Sequence, residues 1–215
     1  MISFRMRRKE LTNIVNYLLL ENCYMIDASL FHGKAGVMLS LYAYSKKYDV
    51  PLIRDFSEDL LQELYGMINK GLPYGIEKGL AGIGLAVTLL SNANLICCNL
   101  NDALCDIDET IMSNDPRRMK DMSLRTGALG LWVYINERMK SDYPLLSIEK
   151  RFIHELHATL VDNGVSLNYN PSWLLSELKM PDFNCKEYID KKHGIDGGSA
   201  YFIIKDAYDS VFYHQ

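Results

Sequence analysis

The residues of this chain best suited to chemistry cluster around a few glycines. His32 precedes Gly33 and His193 precedes Gly194. An imidazole titrates near neutrality, so each is a candidate acid or base. Asp196 follows His193 by three residues, and the two could hold a metal or a substrate amide. The competing reading makes Asp196 a complement to a helix dipole and His193 a surface turn residue. Tyr74 and Glu77 stand before another glycine pair, Gly79 and Gly82. Glu77 could bind a peptide amine or order His32, if both lie at one mouth. His154-Glu155-Leu156-His157 is one residue short of the metalloprotease string H-E-x-x-H. Its Glu would not sit as that mechanism needs, so a solvated helix face is expected there.

The five cysteines, Cys23, Cys97, Cys98, Cys105 and Cys185, are odd in number and irregular in spacing. They form neither a disulfide framework nor a CxxC zinc motif. All five read as reduced, mostly buried thiols in a reducing compartment. No metal or other cofactor is expected.

These groups need elements to position them, and the sequence supplies a repeat. Ser29-Leu30-Phe31-His32-Gly33-Lys34-Ala35-Gly36 aligns with Gly75-Ile76-Glu77-Lys78-Gly79-Leu80-Ala81-Gly82. Both align with Ser123-Leu124-Arg125-Thr126-Gly127-Ala128-Leu129-Gly130. The first glycines stand at 33, 79 and 127, spacings of 46 and 48. A fourth copy reads His193-Gly194-Ile195-Asp196-Gly197, placing its glycines at 194 and 197, 67 residues on. An apolar helix follows each glycine pair, as in Val37 to Ala43 and Ile83 to Leu90. Amphipathic segments starting near 55, 101 and 147 alternate with them. Ser57 reads as the N-cap of the first of these, Asn101 to Met112 forms the second and Ser147 to Val161 the third. Inner apolar helices ringed by outer charged ones describe an all-α solenoid curling toward a barrel. The expectation is a single domain over 1–215, an α/α toroid-like array of about four hairpins forming an incomplete barrel. A glycine in a helix costs about 0.5–1 kcal/mol relative to alanine. Its recurrence here points to close backbone approach, with an anion-friendly helix start as the lesser reading.

Composition narrows the function classes. The chain of 215 residues is 48% hydrophobic and 23% charged, as a globular core requires. A net charge of −4 gives no footprint for nucleic acid, and the basic run Arg5, Arg7, Arg8 and Lys9 reads as a helix end. The following apolar stretch Leu11 to Leu20 is broken by Thr12, Asn13 and Asn16. An amphipathic first helix is expected, not a signal peptide. No apolar run is long enough to span a membrane, so a cytoplasmic location is expected.

The glycine strings resemble the lanthionine synthetase C-like family, above all Gly79-Leu80-Ala81-Gly82-Ile83-Gly84-Leu85-Ala86. The likeness covers about 27–210 without the long connection 163–192. It implies an α/α toroid with a zinc ion at its mouth that activates a peptide thiol for thioether formation. It also implies an acid–base role for His32. The family holds its zinc with a cysteine in a Trp-Cys-x-Gly string and with a Cys-His pair before glycine. Here Trp132 and Trp173 precede Val133 and Leu174, and the residues before the two histidines are Phe31 and Lys192. Where the family has Asp after the tyrosine, Gly75 stands. Cyclase activity is therefore expected to be lost, or never to have resided in this chain alone.

What remains is binding of a peptide substrate or a modification enzyme, without zinc. A helical scaffold or interaction module is the alternative from another class. A glycan-active α/α-barrel is a third, for which Glu77 and Asp196 are the candidate carboxylates. The insertion 163–192, with Tyr169, Trp173 and Phe183, reads as a binding loop, a docking edge or a plug. The aromatic tail Tyr201 to Tyr213 reads as burial against another subunit. Open edges of inner helix imply self-association, unless the insertion caps one edge.

Overall fold

The computed structural model describes residues 7–141, 145, 147–169 and 172–212. Arg5, Asn170, Pro171 and Tyr213 lie outside the described residues. The described chain is all helical, without strands. Its main helices are α1 (Arg8–Glu21), α2 (Lys34–Tyr48), α3 (Pro51–Met67), α4 (Leu80–Asn92), α5 (Leu100–Ala103), α6 (Cys105–Met112), α7 (Ala128–Met139), α8 (Lys150–Asp162), α9 (Trp173–Glu177) and α10 (Ala200–Phe212). They fall into two compact units. The first takes the described residues up to Met67 and from Ser172 onward; the second runs from Ile68 to Tyr169.

In the first unit α2 packs between α10 and α3. Helix α2 is buried on every side from Lys34 to Ser45, as its unbroken apolar run requires. Lys46 and Lys47 occupy its last turn, where cations complement the helix dipole. Asp49 ends it at φ 52, a left-handed conformation that a short polar side chain tolerates. Pro51 then opens α3, where its missing N–H forfeits no hydrogen bond. The outer helix thus starts earlier than its acidic residues imply. Ser57 is not an N-cap: it is buried inside α3 and donates to the Ile53 carbonyl. Helix α1 buries Leu11, Ile14, Val15 and Leu18, the single stripe of an amphipathic helix.

The aromatic tail is an inner helix. Phe202 and Tyr208 of α10 are buried within the first unit, and Tyr201 and Phe212 are half-buried. The insertion packs on the same unit through Phe183 against Phe202 and Tyr188 against Tyr17. Trp173 and Leu174 of α9 are buried.

In the second unit α4 packs on α7 and α6, and α7 on α8. The outer segment from Asn101 is broken at Leu104 into α5 and α6, and Asn99 caps α5 by accepting from the Asn101 N–H. A buried polar cluster ties α6 to α7. The Asp108 carboxylate accepts from Arg138 Nη1 at 2.7 Å, from the Tyr134 hydroxyl at 2.6 Å and from Ser147 Oγ at 2.6 Å. Arg138 and Asp108 are 1% and 0% exposed. Burial and the neighbouring Asp108 charge raise the Tyr134 pKa well above its ordinary value. Gly84 makes room for this: a Cβ there would stand 2.8 Å from the Tyr134 ring.

The expected burial of the cysteines fails. Cys23, Cys97 and Cys105 are exposed, Cys98 is half-buried, and only Cys185 is buried. They lie at helix ends and in connections, outside the apolar stripes. All five are free thiols.

Candidate functional site

Each inner helix is entered through an eight-residue loop with the same closure. The N–H of its last residue donates to the carbonyl of its first: Lys34 to Asp27, Leu80 to Pro73, Ala128 to Asp121 and Ser199 to Lys192, at 2.7–2.9 Å. The penultimate residue is always glycine. At Gly33, Gly79 and Gly127 a Cβ would overlap the carbonyl oxygens of Asp27, Pro73 and Asp121. Their φ values, −113 to −124, suit any residue, so the requirement is space.

This closure corrects the register of the fourth copy. The equivalent of Gly33 is Gly198, whose Cβ would lie 2.5 Å from the Gly194 oxygen. Gly194 instead corresponds to Gly75, and Gly197 is a left-handed turn residue at φ 67 with open space around it. The fourth copy has Tyr201 where Gly36, Gly82 and Gly130 stand. At Gly36 and Gly130 a Cβ would overlap the carbonyls of Leu30 and Leu124, which belong to the Ser-Leu turns of the first and third loops.

The loops are of two kinds, paired one of each within a unit. The first and third begin Asp-x-Ser-Leu. Asp27 Oδ1 accepts from the Ser29 N–H and Asp121 Oδ1 from the Ser123 N–H, both at 2.8 Å. The second and fourth read Gly-Ile-acid-x-Gly. In the first unit the Asp196 N–H donates to the Phe31 carbonyl at 2.9 Å, and the Gly194 Cβ position lies 2.5 Å from His32 Cα. In the second unit the Glu77 N–H donates to the Arg125 carbonyl at 2.9 Å, and the Gly75 Cβ position lies 2.8 Å from Thr126 Cα. The isoleucines match too: Ile195 Cγ1 and Ile76 Cγ1 each approach the Cβ positions of Gly36 and Gly130 to 3.2 Å.

The side chains differ where the backbones agree. The first unit brings His32 and His193 to adjoining loops. His32 is half-buried, edge-on to Phe31 at 6.5 Å. His193 stacks on Tyr17 at 5.6 Å, with Nε2 3.3 Å from the Tyr17 hydroxyl and 3.9 Å from Glu21. Tyr17 also accepts from the Asp190 N–H, so His193 joins α1 to the end of the insertion. Asp196 is not in the first turn of α10. It is buried four residues before that helix, and its carboxylate accepts from the Lys179 N–H at 2.6 Å. The second unit has Tyr74 and Thr126 at the histidine positions. Glu77 pairs with Arg125 at 3.5 Å. Hydrogen bonds from Thr126 and the Ser123 N–H hold Asp121 below its usual carboxylate pKa.

His154 and His157 are exposed on α8. His157 lies tilted on Trp132 at 5.2 Å, and Glu155 is held by Arg151. Among the described residues, no three His, Cys, Asp or Glu side chains come together as a metal site. No described helix is long and apolar enough to cross a membrane. The likeness of the first and third loops is legible in the second Asp-x-Ser-Leu, 94 residues after the first, although which loop each one meets is not. The Asp108 cluster had no signal of this kind, because its members lie far apart in sequence. No family model and no curated protein matches the chain.

Proposed function

We propose that this protein is a divergent lanthionine synthetase C-like protein that binds a peptide, or a partner enzyme of peptide modification, without catalytic zinc. The supporting observation is the fourfold loop-and-inner-helix repeat, carried by strings such as Gly79 to Ala86 that resemble the family. The residues before His32 and His193 are Phe31 and Lys192, which offer no thiolate to a metal. His32 and His193 are the polar groups on which a peptide would act in the first unit, and Tyr74 and Glu77 those in the second. The test is metal analysis of purified protein with calorimetric titration of a cysteine-rich precursor peptide. Peptide binding by metal-free protein is expected. Stoichiometric zinc, lost on replacing His32 or His193, overturns the reading.

The scaffold reading draws on a different observation. Asp196 is buried and accepts a backbone N–H, so it ties the insertion down and is no free acid. The same placement argues against Asp196 as one carboxylate of a glycan-cleaving pair.

A further inference from the structure

Helix α1 carries two apolar stripes. The first, Leu11, Ile14, Val15 and Leu18, is buried, and α10 packs on the helix. Tyr17 and Leu20 fall away from that stripe, and Tyr24 continues their line in the short helical turn Asn22–Tyr24. Leu20 is 73% exposed, Tyr24 79%, and Ile26, two residues on, 93%. An outer helix ordinarily turns polar groups to this face, as Asn13 and Asn16 do earlier in α1. The end of the insertion extends the patch. The Tyr188 ring lies 5.3 Å from that of Tyr17, and the Asp190 N–H donates to the Tyr17 hydroxyl at 3.0 Å. Ile189, between them in sequence, is 62% exposed.

The two segments that carry this patch differ in charge. Residues 21–27 hold Glu21 and Asp27 and no base, whereas residues 186–192 hold Lys186, Lys191 and Lys192 against Glu187 and Asp190. Lys186 is drawn to Glu10 at 3.8 Å. Among the described residues Lys192 makes no ion pair, and Glu21 approaches only His193, at 3.9 Å. A two-fold axis sets a patch on its own copy, so a self-complementary face needs an apolar centre with acid and base side by side. This face has all three. A uniformly acidic or basic partner, or an anionic membrane, would meet like charge on part of it. We infer that this face of α1 docks a second copy of the chain. Leu20, Tyr24, Ile26 and Ile189 form the apolar centre of the contact, and Glu21 and Asp27 face Lys191 and Lys192 of the second copy. So few side chains make a small interface, and the dimer is reversible. The inference does not depend on peptide binding at the glycine loops.

Sedimentation velocity of the full chain from about 2 µM to about 200 µM tests this, and a monomer–dimer equilibrium is expected in that range. Ile26→Asp and Leu20→Ser, at exposed positions, should each weaken association about tenfold or more while the dilute monomer keeps its thermal midpoint. Glu21→Lys and Lys192→Glu should each weaken it too, because like charges then meet. An equimolar mixture of those two variants should regain the native association, since both ion pairs return with their signs exchanged. A chain that is monomeric at every concentration, association untouched by Ile26→Asp, or a mixture that does not recover overturns the inference. So does a monomer that instead binds vesicles of mixed phosphatidylcholine and phosphatidylserine.

Discussion

The two loop pairs share their backbone closures and an exposed Asp at the start of one loop, and differ at the positions of the two histidines. In each, an acidic residue's N–H crosses to the partner loop, at Phe31 or at Arg125. In each, an isoleucine reaches the space beside a helical glycine. Yet His32 and His193 in the first unit are replaced by Thr126 and Tyr74 in the second. The shared part is what close packing of backbone against backbone demands. The variable part is what that packing leaves undetermined.

The largest way to break the comparison is to fill the shared glycine space. Gly33→Ala and Gly79→Ala should each cost about 3 kcal/mol or more, because the new methyl overlaps a carbonyl that closes the loop. Denaturant unfolding checks this; similar losses support the equivalence of the loops, and a tolerated alanine at either position refutes it. The second unit should then be broken selectively by Asp108→Ala. Removing one partner of a buried, hydrogen-bonded ion pair costs about 3–5 kcal/mol. Hydrogen exchange should show protection falling first in α6 and α7, while α2 keeps its own.

A smaller effect tests the corrected register. Gly197→Ala should cost about 1 kcal/mol through its left-handed φ alone, far less than Gly198→Ala, which meets the Gly194 backbone. Equal losses at the two positions would restore Gly197 as the packing glycine. The smallest effect concerns pH. Asp121 is held below its usual pKa in the folded state, so its contribution is present above the unfolded value. That contribution fades as the pH falls through the folded value. The difference in denaturation midpoint between the native chain and Asp121→Asn should therefore shrink from pH 6 toward pH 3.

The errors in reading the sequence have physical causes. Ser57 has the acidic neighbours of an N-cap, but Pro51 starts the helix about two turns sooner, and a mid-helix serine bonds back to its own backbone. The glycines at 194 and 197 have the right spacing, but spacing cannot tell a glycine needed for space from one needed for φ. Asp196 carries the right charge for a helix start, and only the path of the insertion shows that Lys179 claims it.

Sequence alone determined the helical class, the difference between helices apolar nearly all round and amphipathic ones, and the first three glycine-rich entries. All of these follow from local periodicity and from the steric demand of single residues, which a linear chain displays. Tertiary structure decided which loops pair, where Gly198 falls in register, and that Asp108, Tyr134, Arg138 and Ser147 share one buried cluster. Those are contacts between distant segments, set by packing and by the satisfaction of buried charge. The glycine repeat announces where the backbones come close, and only their meeting shows what each side chain then touches.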